Sequence, residues 1–377
     1  MQRKFWYIIG CLVVLIAGAW LFLTVAERTK PSIDAGPDAT VIGRQKTLQV
    51  TFSDSGRGLR HTEIAISQNK TDRVLSAVDY PETGVHQKTV SAAVDAVVLK
   101  LNDGPADLIL TAVDHSLWKN RTTRKLPVSV DLLPPQIFQL NTQNHIHPGG
   151  ACVVAYHLSE AVPTTGVRVG DLFYPGYPTT PAGKSAYAAY FALPMDASPG
   201  APQVRITARD QAGNETAGGI PSLILKRTFR ADTMNLSQGF LDQKMPEFQA
   251  LFPELRGKSV LDTFIHVNTV MRTDNLKTIR SVCQKSEPRP LWQDVFLRMK
   301  NAAPMALFGD RRTYLFDGKP VGQSIHNGID LASLVHAPIE AANSGIVRFT
   351  GMLGIYGNTV IIDHGMGLST LYAHLSG

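Results

Sequence analysis

The chain has 377 residues, with 37 Lys and Arg against 31 Asp and Glu, a formal net charge of +6 and a pI near 9.2. Its 44% hydrophobic and 18% charged content is ordinary for globular protein and leaves room for two to four domains. The mild positive balance suits an anionic polymer or a membrane surface, and nucleic acid is set aside because no Lys/Arg stripe interleaved with aromatics is present. The 31 Gly and 23 Pro favour a turn-rich β architecture over long helices.

Arg3 and Lys4 precede an unbroken apolar run from Phe5 to Val25. That run is long enough to cross a bilayer at about 1.5 Å rise per residue. Trp6, Tyr7 and Trp20 suit its interfacial ends. A cleaved signal peptide would have a shorter apolar region and an A-x-A-like site, and Thr24-Val25-Ala26 matches one poorly. The reading is an uncleaved anchor over 1–30 in the cytoplasmic (inner) membrane, single-pass, with the body outside the cytoplasm.

Residues 31–131 and 132–228 read as two related β units. The first ends Leu110-Thr-Ala-Val-Asp114, then Asn120 and the strand-like Leu126–Val130; the second ends Ile206-Thr-Ala-Arg-Asp210, then Gly213-Asn214 and Leu223–Leu225. Asp and Asn suit such turns because their side chains bond nearby backbone amides. Short alternating runs such as Glu63–Ile66 and Val204–Ala208, separated by turn residues, predict β-sandwiches, and the repeated strand end resembles bacterial Ig-like repeats. Pro134-Pro135 is a joint between the units. Ser53-Asp-Ser-Gly56 faintly resembles the serine segment of a trypsin-like protease, but no partnering His and Asp accompany it, and it reads as a loop between strands.

Over 229–305 the pattern turns helical. Apolar spacing predicts helices in Phe240–Phe252, with Ser237 as N-cap, and in Trp292–Met299, while Thr263–Thr278 gives mixed signals. Cys152 and Cys283 read as two buried thiols, without zinc-finger spacing.

The last seventy residues carry the chemistry. His326-Asn-Gly-Ile-Asp330 is followed by Gly345-Ile-Val-Arg-Phe, by Gly354-Ile-Tyr-Gly-Asn-Thr-Val-Ile-Ile-Asp-His364, and by Leu371-Tyr-Ala-His374-Leu-Ser-Gly377. Asp317-Gly318 predicts a tight hairpin. Ile346–Phe349, Thr359–Ile362 and Ser369–Tyr372, separated by glycines, predict an antiparallel sheet. In a straight strand His326 and Asp330 would stand about 13 Å apart, too far to share one metal, but Asn327-Gly328 is turn chemistry that can fold them together.

Taken together these motifs resemble the lysostaphin/LytM zinc endopeptidases over about residues 311–377. The resemblance implies that His326 and Asp330 bind zinc and that His374 sits near the metal and assists catalysis. It also implies a later H-x-H supplying a second catalytic histidine and the third zinc ligand. None follows His374, and His145-Ile-His147 reads as a surface loop pair, so the peptidase domain over 306–377 is expected to be incomplete. His364 reads as structural, His336 as a surface residue, and Tyr356 and Asn358 as turn residues or groove lining. The expected fold is mainly β and multidomain: a transmembrane helix, two Ig-like sandwiches, a small α-rich segment and the first part of an antiparallel peptidase sheet. The implied function is zinc-dependent cleavage of peptide stems or cross-links of bacterial peptidoglycan, with the inner membrane and other cell-wall enzymes as further partners. The rival readings are a non-catalytic envelope protein that activates other wall hydrolases and an adhesin built on the Ig-like units.

Overall fold

The structure is a computed structural model that describes residues 12–16, 18, 20, 27–140, 143–179, 186–198 and 203–377. Among the described residues no helix is long and apolar enough to cross a membrane. Leu12–Ile16 are helical and exposed, and most of the anchor expected over Phe5–Val25 lies outside the described residues. The chain divides into two compact units, Met1–Pro135 with Arg209–Glu215, and Gln136–Ala208 with Thr216–Gly377. Strands dominate both.

In the first unit a three-stranded antiparallel sheet runs Ser32–Asp34, Gln45–Ser53, Gln87–Asp95. A five-stranded sheet runs Val41–Ile42, Arg121–Val130, Gly104–Asp114, Leu59–Gln68, Thr71–Asp79. Their inner faces meet in one core. Leu48, Val50 and Phe52 come from the first sheet and Ile64, Ile66, Leu108 and Leu110 from the second. The buried residues alternate along Gln45–Ser53 and Gln87–Asp95, as the two-residue period of a half-buried strand requires. The Thr-Ala-x-Asp strand end works as expected. Asp114 Oδ1 accepts from the Ser116 amide and hydroxyl, and its Oδ2 from Asn120 Nδ2. Asp210 likewise accepts from the Asn214 amide and side chain.

In the second unit, sheets ordered Tyr177–Pro178, Ala186–Ala192, Ala151–Leu158, Ile137–Gln139 and Leu172–Pro175, Thr164–Val169, Val204–Arg209, Glu215–Gly219 enclose Val154, Tyr156, Val167, Phe191 and Ile206. Tyr156 bonds Thr165 at 2.8 Å, and burial pushes its phenol up to about 12. The His145-Ile-His147 pair is exposed, as expected, but His145 sits on a short strand, Asn144–Ile146, and not in a loop. Cys152 and Cys283 are free thiols, half-buried, and burial raises both.

Three helices follow: α1 (Gln238–Leu251), α2 (Val260–His266) and α3 (Arg272–Cys283), the last two joined by a π turn over Val267–Met271. Ser237 caps α1 by accepting from the Phe240 amide at 3.2 Å. Ahead of α1, Ala231–Asn235 is a strand that pairs in parallel with Arg311–Phe316. The helices therefore form the crossover that a parallel pairing needs. Their apolar faces (Leu241, Met245, Phe264) pack on Tyr314, Phe316 and Val321 of that sheet. The helix expected over Trp292–Met299 does not form. The segment's backbone groups bond to other elements instead of to one another. The Leu291 amide donates to His364 O, the Leu297 amide to Ala342 O, and Asn343 bridges Gln293 and Val295.

Candidate metal centre

Asp317 and Gly318 both have positive φ, 48° and 72°, which is what a two-residue hairpin turn demands. The hairpin they close, Arg311–Phe316 with Lys319–Ile325, is anchored by buried Tyr314, whose hydroxyl meets Ser324 Oγ at 2.9 Å. Its second strand ends at Ile325 and so delivers His326 at the sheet margin. The chain then turns through Asn327–Ile329 and re-enters a strand at Asp330, which pairs with Ala303–Ala306. The result brings His326 Nε2 to 3.0 Å from Asp330 Oδ1.

The imidazole is aimed from behind. His326 Nδ1 lies 3.0 Å from the Leu307 carbonyl oxygen. A carbonyl only accepts, so Nδ1 carries a hydrogen and Nε2 is the nitrogen presented to Asp330 and to any metal. The main chain at His326 is fixed as well, its amide donating to Asp310 O and its carbonyl accepting from the Gly309 amide. Asp310 is buried, and its Oδ2 accepts from the Leu307 amide at 3.0 Å. Asp310 thus holds the residue whose carbonyl orients the imidazole. Sequence reasoning missed it; its only signal was the Gly309-Asp310 turn ahead of the hairpin.

Two atoms bonded to one zinc at about 2.0–2.1 Å stand about 3.3 Å apart at the tetrahedral angle. The 3.0 Å separation of His326 Nε2 and Asp330 Oδ1 fits that bite. The imidazole is mostly covered and the carboxylate half-exposed, so a ligand could reach the pair from solvent. No third His, Cys, Asp or Glu joins them within ligand reach among the described residues.

The third predicted residue stands in a different sheet, formed by Ile346–Met352, Asn358–Gly365 and Leu368–Leu375. His374 lies near the end of its last strand with a φ of 57°, exposed, its ring beside Gly357. Among the described residues it makes no hydrogen bond to the His326–Asp330 pair. Tyr356 and Asn358 flank Gly357 on the adjoining turn. That turn is held from below, since Asn275 of α3, itself buried, accepts the Ile355 amide at 3.1 Å. His336 is exposed on a loop.

His364 is structural. Its side chain is fully buried, Nδ1 facing Ser344 O at 2.7 Å and Nε2 facing Thr370 Oγ1 at 2.8 Å, with Phe296 packed edge-on. Its neighbour Asp363, also buried, accepts from Ser286 Oγ and the Gly365 amide on Oδ1, and from the Glu287 amide and Arg348 on Oδ2. Burial alone would raise this carboxyl, but those donors outweigh it and hold it below the usual carboxylate range. Glu287 and Asp363 together raise the Arg348 guanidinium.

Residues 324–377 match Peptidase family M23, and this stretch is an M23 domain of LytM type. Over 52 residues the chain is 48% identical to proteins named DD-carboxypeptidase/endopeptidase Mpg from Neisseria meningitidis serogroup B and Neisseria gonorrhoeae. The match covers 14% of this chain and 12% of each relative's length. A solved complex of Dpr2 Ig1-Ig2 with DIP-Theta Ig1-Ig3 aligns at 16% identity over 52% of this chain and 65% of that one. Its TM-score is 0.19, too low to carry an argument about fold.

Proposed function

We propose that this protein is a zinc-dependent endopeptidase that cleaves peptide stems or cross-links of bacterial peptidoglycan. One observation carries the reading: within an M23 stretch, an oriented imidazole nitrogen and a carboxylate oxygen stand 3.0 Å apart. In this proposal His326 and Asp330 hold the metal. When bound, zinc polarises a scissile carbonyl and lowers the pKa of a bound water to about 7. The Asp310–Leu307 pair keeps His326 Nε2 aimed at the site, as hydrogen bonds behind a ligating imidazole do in metal sites. His374, exposed beside the glycine turn, would move a proton or stabilise the developing oxyanion.

The apolar run over Phe5–Val25 would anchor the chain in the cytoplasmic membrane with the body in the periplasm or cell wall. The two β units would act as Ig-like spacers toward peptidoglycan. The +6 charge supports an anionic polymer as partner.

The test is muropeptide release from purified sacculi by the zinc-loaded full chain, with bound zinc measured in parallel. New fragments that vanish in His326→Ala support the proposal. Zinc binding without any release, or equal release by His326→Ala, refutes peptide hydrolysis at this site.

A further inference from the structure

The loop around Asp54, read from the sequence as a plain connection between strands, holds part of a buried acidic cluster in the first unit. Asp54 and Asp114 are 3% and 0% exposed. One oxygen from each of these two carboxylates and one from Glu27 lie within 4.8 Å of one another. None of the ion pairs among the described residues reaches any of the three. Asp114 is accounted for by its strand-end turn. Asp54 is not. Its Oδ2 accepts the Gly56 amide at 3.1 Å and the Gly58 amide at 2.8 Å, while its Oδ1 is buried without any hydrogen-bond partner. A buried ionised oxygen with no donor is costly unless a cation meets it.

Other features of the cluster agree. Glu27 Oε1 accepts the Arg57 amide at 3.1 Å. A Cβ at Gly56 would fall 1.6 Å from that same Glu27 oxygen, so a side chain there would displace the Glu27 carboxylate. Asn120 Nδ2 donates to Glu27 O, Thr29 O, Ser116 Oγ and Asp114 Oδ2 at 2.8–3.2 Å, which ties the Glu27 segment to the Asp114 turn. The donor set is oxygen alone, which selects a hard cation. Two oxygens bound to one calcium ion stand at most about 4.6–5.2 Å apart, at about 2.3–2.6 Å per bond, and the three carboxylate oxygens, all within 4.8 Å of one another, are close enough to share one.

We propose that Glu27, Asp54 and Asp114 bind a calcium ion. The ion clamps the segment that leads into the first unit onto two loops of its sheets. Glu27 stands just after the apolar run in sequence, so the clamp holds the first residues of the body against the first unit.

The experiment uses the full chain in detergent, stripped with a chelator, then titrated with calcium chloride by calorimetry and by thermal shift. The wild type is expected to take up one ion, with a dissociation constant on the order of 10⁻⁴–10⁻³ M, the range of extracellular modules. Uptake is unchanged in the His326→Ala, Asp330→Asn double variant. Asp54→Asn, which keeps an oxygen for the two glycine amides, weakens uptake at least tenfold. It also melts no lower than the wild type in chelator, because it removes one of three crowded charges. Glu27→Gln gives the same loss and serves if Asp54→Asn does not fold. Absence of calcium uptake, equal uptake by Asp54→Asn or Glu27→Gln, or uptake lost with His326 and Asp330 overturns the assignment.

Discussion

Asp363→Asn is the most informative single perturbation of the peptidase sheet. The asparagine carbonyl can keep the Oδ1 contacts to Ser286 and Gly365. Its amide nitrogen then faces the Glu287 amide, which loses its acceptor, and the Arg348 guanidinium, which keeps Glu287 Oε1 at 2.8 Å. Losing the buried bond from the Glu287 amide to a charged oxygen costs about 1.5–3 kcal/mol. Arg348 keeps its bond to Glu287, so it adds nothing further to that figure. For a unit of this size, about 2–4 °C per kcal/mol gives a fall of about 3–12 °C in the midpoint. The pH dependence has a definite sign. The carboxyl is held below its usual range in the fold. Its stabilisation is therefore fully present above about pH 3.9, the unfolded value, and is lost as pH falls through the lower folded value. The wild type should lose stability below about pH 4, and Asp363→Asn should lack that share of the loss. Circular dichroism melts from pH 2 to 7, with hydrogen exchange at the Glu287 and Gly365 amides, measure both effects. A midpoint within about 1 °C of the wild type at pH 7, with unchanged exchange at these amides, would refute the reasoning.

Asp310→Ala removes the group that holds Leu307 behind His326. It should weaken zinc binding about 10–100-fold, read by competition with a chromophoric chelator, while Asp363-dependent stability stays unchanged. Gly354→Ala forces a side chain into a φ of 47° and puts its Cβ 2.4 Å from Asn275 Oδ1. It should cost at least about 1–2 kcal/mol in urea unfolding and lower activity through the turn beside His374. Ser237→Ala removes the α1 cap and should cost about 1 kcal/mol; a change below about 0.3 kcal/mol in the same assay would count against a stabilising cap.

Local chemistry was legible wherever a few adjacent residues decide the outcome. Asp317-Gly318 can only form a tight hairpin turn, Ser237 caps the helix that follows it, and the Thr-Ala-x-Asp strand ends fold back through Asp and Asn in both β units. The pairing of His326 with Asp330 was equally local, because Asn327-Gly328 permits the fold-back that a strand forbids. The Trp292–Met299 segment shows the limit. Its apolar spacing fits a helix, yet its backbone groups are held by Ala342 and Asn343, far along the chain. The parallel pairing of Ala231–Asn235 with Arg311–Phe316 was equally invisible, since eighty residues and three helices separate the two strands. Asp310 and Asp54 carry the same lesson at the level of single side chains. In sequence they are ordinary loop aspartates. Burial gives them consequence, since one orients the His326 ring through a backbone carbonyl and the other is left with an oxygen that no protein donor meets. Pattern and turn chemistry act over a few residues and can be read from the chain, whereas desolvation depends on what the rest of the fold brings alongside.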